Sequence, residues 1–141
     1  MSTRDERGSL SLEFVLLVPA LVLLFGVMVG GARTWIARSG VEQLAATAAR
    51  GAALERTPAE AERAANTLVA AQLAVGGMRC GSLSVVVDAS ALAAPAGTPG
   101  EVGATVVCGV ALGDVLVPGW PGSIEVRARA SAIADSYRER K

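Results

Sequence analysis

Residues 13–32 read Glu13-Phe14-Val15-Leu16-Leu17-Val18-Pro19-Ala20-Leu21-Val22-Leu23-Leu24-Phe25-Gly26-Val27-Met28-Val29-Gly30-Gly31-Ala32, one carboxylate followed by 19 residues without a charge. A helix needs roughly 20 mostly apolar residues to cross the hydrocarbon core of a bilayer, so Phe14 to Ala32 is long enough to span. Its dozen Leu, Val and Phe residues contribute about −0.3 to −0.6 kcal/mol each, roughly −4 to −7 kcal/mol together, which outweighs one carboxylate at the edge. A charge at the centre would cost about 2.5–3.5 kcal/mol, and charges kept at membrane depth tend to be functional and partnered. Glu13 therefore asks for a cation. Pro19 removes a backbone donor inside the run and can kink it, which membrane helices tolerate where neighbours compensate. Gly26 and Gly30 have small-xxx-small spacing, which permits close approach of a second helix and equally suits ordinary membrane glycines.

Arg4 and Arg7 precede the run and the bulk of the chain follows it. The positive-inside rule then places the N-terminus in the cytoplasm and the C-terminus outside, although Asp5, Glu6, Arg33 and Arg38 blur the asymmetry. The competing reading is a secretory signal peptide with Gly30 and Ala32 as the small residues of its cleavage site. Against it stand Glu13, an apolar stretch longer than the usual h-region of about 7–15 residues, and helical periodicity that continues past the site.

Composition narrows the rest. The chain has 141 residues, and a membrane segment with its helical continuation leaves room for one small domain. Thirteen basic and thirteen acidic residues balance, so no long-range field attracts nucleic acid, which is not an expected partner. The sequence holds no histidine, which removes the usual general base and the commonest metal ligand. No catalysis, cofactor or metal is expected. Aromatics are only 4% against 52% apolar residues, with 16 Gly, a composition suited to close helix packing rather than to deep aromatic pockets.

Beyond the span, Ile36, Val41, Leu44, Ala45, Ala48 and Ala52 form a stripe at helical spacing, so the membrane helix should run on into the exterior. Arg38 and Glu42 lie one turn apart on the other side and can pair, and Trp35 falls where an interfacial aromatic belongs. Thr57-Pro58-Ala59-Glu60 is a capping box with proline at the first helical position and predicts a second helix from Pro58. Its stripe is Ala61, Ala64, Ala65, Leu68 and Gln72, with Val69 and Leu73 alongside, and Gly76-Gly77 is the stop. Whether the two helices are nearly continuous or bent near Arg56 is left open.

From Ser82 the texture becomes β-branched or alternating, with strands expected at Ser82 to Asp88, Glu101 to Leu112 and Ser123 to about Ala134. Glu125, Arg127, Arg129 and Ser131 alternate with Val126, Ala128, Ala130 and Ala132, giving one wet and one buried face. Ala94 to Gly100 and Gly113 to Gly122 read as Pro/Gly-rich loops, the second carrying Trp120 either as a cover for the core or as a partner contact. Asp88, Asp114 and Asp135 fall at strand ends and turns rather than forming an acid cluster. Cys80 and Cys108 are the only cysteines. Outside the cytoplasm they can form a disulfide, two buried thiols being the alternative, and two cysteines without histidine make a poor zinc set. The fold class is thus α+β: a leader at 1–8, a transmembrane helix at 9–33, an exported helical region at 34–77, and a small β domain at 78–141 with an antiparallel sheet of about three strands.

Gly8-Ser9-Leu10-Ser11-Leu12-Glu13-Phe14 resembles the class III signal of type IV pilin-like proteins, cut after glycine by a prepilin peptidase with glutamate fifth in the mature chain. The wider stretch Glu13 to Pro19, with the aliphatic run behind it, is similar to the TadE family of tight-adherence (Flp) pilus systems, pseudopilins with a small exported domain. That resemblance implies a processing site at Gly8 and Ser9, and an assembly role for Glu13, Phe14 and Pro19. It also implies a cytoplasmic-membrane location and, as partners, the membrane, the peptidase, other pilin or pseudopilin subunits and the pilus assembly machinery. Ser9 stands where type IV pilins commonly carry phenylalanine. The expected function is a minor pseudopilin-like assembly component without catalysis of its own. The competing classes are a pseudopilin of a type II secretion or DNA-uptake system, and a secreted small domain behind a conventional signal peptide.

Overall fold

One helix organises the chain. In the computed structural model, which describes residues 7–95, 97–112 and 122–134, α1 runs unbroken through Arg7–Ala53, 47 residues. At 1.5 Å per residue that is about 70 Å, far more than a bilayer requires. The sequence accounts for both halves. Phe14 to Val29 carries exposed Leu, Val, Met and Phe on every side, whereas Val41, Leu44, Ala45, Ala48, Ala49 and Ala52 are buried on one face. The expected helical continuation beyond the apolar run is therefore observed.

One stripe position is corrected. Ile36 is 64% exposed, and Ala37, at 6%, takes the buried place beside Val41. At about 100° per residue, four residues from 37 to 41 return within about 40° of the same face, while five from 36 leave Ile36 about 140° away.

α1 ends by tightening: the N–H groups of Leu54 and Glu55 donate to the carbonyls of Gly51 and Ala52, each at 3.2 Å. Pro58 disfavours helical backbone at the residue before it, and Thr57 is extended at φ −130°, ψ 151°. The chain turns back, and α2 follows at Pro58–Gly76. The Thr57 hydroxyl accepts from the Glu60 N–H at 3.3 Å and donates to the Glu60 carboxylate at 3.0 Å. The question of a continuous or bent pair thus resolves as an antiparallel hairpin, with Gly51 of α1 against Leu68 of α2 and Gly40 against Met78 just past the end of α2. At Gly51 a Cβ would overlap the end of the Leu68 side chain, so glycine lets the helices approach. The α2 seam is Ala61, Ala65 and Val69, fully buried, while Leu68 is 38% exposed and Ala64, Gln72 and Leu73 are half-buried. Gly77 closes α2 at φ 68°, a left-handed conformation that favours glycine.

Three strands complete the head: β1 (Ser82–Asp88), β2 (Gly100–Ala111) and β3 (Ser123–Ala134), antiparallel in the order β1-β2-β3. In register, Val85 lies opposite Val106 and Val106 opposite Ala128. Val102, Ala104, Val106 and Cys108 point inward and are buried, with α1 lying against β2 and β3 and α2 against β1. On β3 the expected alternation holds: Val126 and Ala128 are buried, Ala130 and Ala132 half-buried, and Glu125, Arg127, Arg129 and Ser131 exposed. A 3-10 turn at Ser90–Ala93, which no sequence signal had marked, drops Leu92 into the edge of the core. Leu112 falls just outside β2, and its N–H donates to the Gly122 carbonyl at 2.9 Å. Trp120, Asp114 and Asp135 lie outside the described residues.

Cys80 and Cys108 form a disulfide, with Cα atoms 5.3 Å apart and a sequence separation of 28. It ties the connection from α2 into β1 to the buried face of β2. Among the described residues alanine supplies more than half of the core, and Leu44 is the largest fully buried side chain. Leu44→Ala is accordingly expected to cost about 2–5 kcal/mol, read as a lower urea midpoint for the full chain in detergent micelles, because its small neighbours offer little to fill the space.

Candidate functional site

The residues expected to matter sit in the first turns of α1. Gly8 and Ser9 follow directly on Arg7, where the helix begins, and Glu13 stands one turn beyond Ser9. Backbone position places these residues together; their side chains are outside the described set. Phe14, at 70% exposed, opens the apolar surface. Pro19 lies inside the helix and offers no N–H to the carbonyl of Val15.

From Phe14 to Val29 the head covers none of the large apolar side chains. The most apolar 18-residue window has a mean hydropathy of 2.6 and is only 6% buried, so this helix is long and apolar enough to cross a membrane. At the C-terminal end of the run the Thr34 hydroxyl donates to the Gly30 carbonyl at 2.8 Å, satisfying a polar group where the apolar run stops. Trp35 is 73% exposed, and Arg38 Nε lies 3.3 Å from Glu42 Oε1, the expected one-turn pair.

In the head, Asp88 is a turn residue. The Ser90 hydroxyl and N–H both donate to its Oδ1, at 2.8 and 3.3 Å, and hold its carboxyl below the usual range, with Arg129 adding a smaller effect of the same sign. Among the described residues no group of three or more His, Cys, Asp or Glu side chains comes together.

A feature that periodicity did not expose lies where α1 leaves the apolar run. A groove of about 400 Å³ is bounded by Arg33, Ile36 and Leu44 of α1, by Leu73 and Met78 at the end of α2, and by Leu112 after β2. α2 ends there at the Gly76-Gly77 stop, and the missing side chain at Gly40 admits Met78, whose sulfur would stand 3.0 Å from a Cβ at that position. Its signal in the sequence was a glycine inside a helical stripe. That alone does not say which element arrives opposite.

These features define a class: an uncovered apolar N-terminal helix that continues as the spine of a small α+β head. The sequence model of one family, described as TadE-like protein, matches residues 8–50, a stretch that covers nearly all of α1. No curated protein and no solved structure matches the chain.

Proposed function

We propose that this protein is a minor pseudopilin-like component for assembly of a tight-adherence pilus, held in the cytoplasmic membrane by Phe14 to Ala32 with its head outside. The observation that carries this reading is the dual character of α1: its N-terminal half is apolar and uncovered while its C-terminal half is the core of the head. Such a subunit can leave a bilayer for a bundle of like helices without refolding, because the head's core does not depend on the span. The TadE-like match over residues 8–50 covers this helix and supports the same reading.

In the proposed cycle a prepilin peptidase cuts the Gly8–Ser9 peptide bond, and the new amine of Ser9 enters the apolar bundle as an ammonium. Glu13 of a neighbouring subunit neutralises it. Two charges that are each costly in a low-dielectric setting become one hydrogen-bonded pair. Phe14 packs at the start of the apolar surface, and Pro19 sets the local shape of the bundle.

Co-expression with a prepilin peptidase tests the processing step. Intact mass and N-terminal sequencing should show a chain beginning at Ser9, and Gly8→Ala should retain residues 1–8. A start near Arg33 would instead identify a removed signal peptide, and equal masses with and without the peptidase would overturn the processing.

A further inference from the structure

The pair between Glu13 of one subunit and the Ser9 amine of its neighbour sets an axial offset. Parallel helices joined in this way are displaced by four residues, about 6 Å by helical rise. Each residue of the raised neighbour then stands level with the residue four places later in the lower subunit. Because α1 is unbroken through Arg7–Ala53, the offset is carried undiminished to the foot of the head. There the neighbour's Trp35 comes level with Ser39, and its Ile36 with Gly40. Those positions are the middle of the groove, whose lining on α1 runs from Arg33 to Leu44.

The side chain that arrives suits the walls that receive it. Among the described residues no large apolar side chain of α1 is more exposed than Trp35, at 73%. In a bilayer the interfacial layer covers such an indole, and a subunit drawn into a bundle loses that cover. The groove of about 400 Å³ is walled by Leu44, Leu73, Met78, Val110 and Leu112, with Met78 lying against Gly40. Gln43 and Gln72 also line it. A buried indole needs an acceptor for its N–H, which an amide oxygen supplies, and a methionine wall adapts to an aromatic ring. Trp35 does not line its own subunit's groove, since Ile36 does and the next residue on a helix is turned by about 100°. Indole and groove therefore lie on different faces, as a contact that repeats head to tail between copies requires.

We propose that the groove receives Trp35 of a second copy of this chain, the copy raised by about 6 Å in the bundle. The contact recurs from one subunit to the next and locks the heads to the register that the charge pair sets below. The inference rests on that pair and on the helix bundle of the proposed function.

The test uses the full chain co-expressed with a prepilin peptidase. p-Benzoylphenylalanine is placed either at Gln43, exposed in the groove lining, or at Leu23, in the middle of the apolar run. Membranes are irradiated, cross-linked dimers are isolated by size, and the joined peptides are identified by mass after trypsin. The expected result is a copy-to-copy adduct at both positions, the one from 43 falling on the peptide Thr34 to Arg38. Trp35→Ala should lower the adduct at 43 at least about tenfold, as truncating a buried tryptophan at the centre of an interface does, and leave that at 23 unchanged. Trp35→Phe, which keeps a ring, should retain most of it. A protein adduct at 23 without a copy-to-copy adduct from 43 to Thr34 to Arg38 overturns the proposal and spares the bundle. So does an adduct at 43 that Trp35→Ala leaves undiminished, or a cross-link from 43 only to lipid, to its own chain or to a different subunit. Absence of any protein adduct at 23 overturns both.

Discussion

Replacing Cys80 and Cys108 together with alanine is expected to lower the head's stability by about 3–4 kcal/mol, the entropy that a bridge across some 28 residues removes from the unfolded chain. The bridge also joins the elements that depend on it most. Cys80 lies between the α2 stop at Gly77 and the first residue of β1, and Cys108 faces the core from the middle strand with no exposed surface. Alanine is the informative replacement, because serine at 108 would add a buried hydroxyl in need of a partner. The urea midpoint of the full chain in micelles should fall in the double variant, and reduction of the wild type should lower it in the same direction. An unchanged midpoint after complete reduction, verified by thiol titration, would show that the bridge does not stabilise the native head. Export matters equally: a head made in a reducing compartment should lack this contribution and be more readily degraded.

Glu13→Gln should leave the chain inserted in the membrane yet lower its recovery with partner subunits on the order of 10²-fold or more, if the pair with a neighbour's Ser9 amine forms in an apolar bundle. The magnitude follows from leaving an ammonium uncompensated, since breaking one side of a buried ion pair costs about 3–5 kcal/mol. Glutamine retains the size and an acceptor, so packing is largely preserved and the loss reports charge. Carbonate-resistant membrane association provides the internal control, because removing a carboxylate favours insertion. Unchanged co-purification of Glu13→Gln with its partners would remove the charge pair from the mechanism while leaving the anchor intact.

Much of the architecture was legible because this sequence states its periods plainly. The charge-free run from Phe14, the Thr57-Pro58 cap, the Gly76-Gly77 stop and the strict alternation on β3 each predict one local conformation, and each is observed. The failures have a common physical origin. Hydrophobicity ranks Ile36 above Ala37 for the buried stripe, whereas a core built mostly of alanine selects positions by angle, and angle likewise prefers Val69 to Leu68 on α2. The turn at Ser90–Ala93 is only four residues long and has no side-chain cap bond, so it offered no period to detect. The helix hairpin was left open since a proline after a cap is compatible with several bends; the long-range seam of Ala61, Ala65 and Val69 against α1 decides it. The residues of the candidate processing and assembly site were readable as a motif. The groove at the head's foot was not, because it exists only once α2 and the end of β2 arrive beside Gly40.

The unbroken run of α1 from the span into the core makes the helix act as a drive shaft. No joint lies between Arg33 and Ala37, so the face of the head that looks toward a neighbour is indexed by residue count. One alanine inserted there would turn the head by about 100° and raise it about 1.5 Å, while the same insertion in the turn between the helices would be absorbed. The azimuth of every surface of the head is thereby written into the length of a single helix.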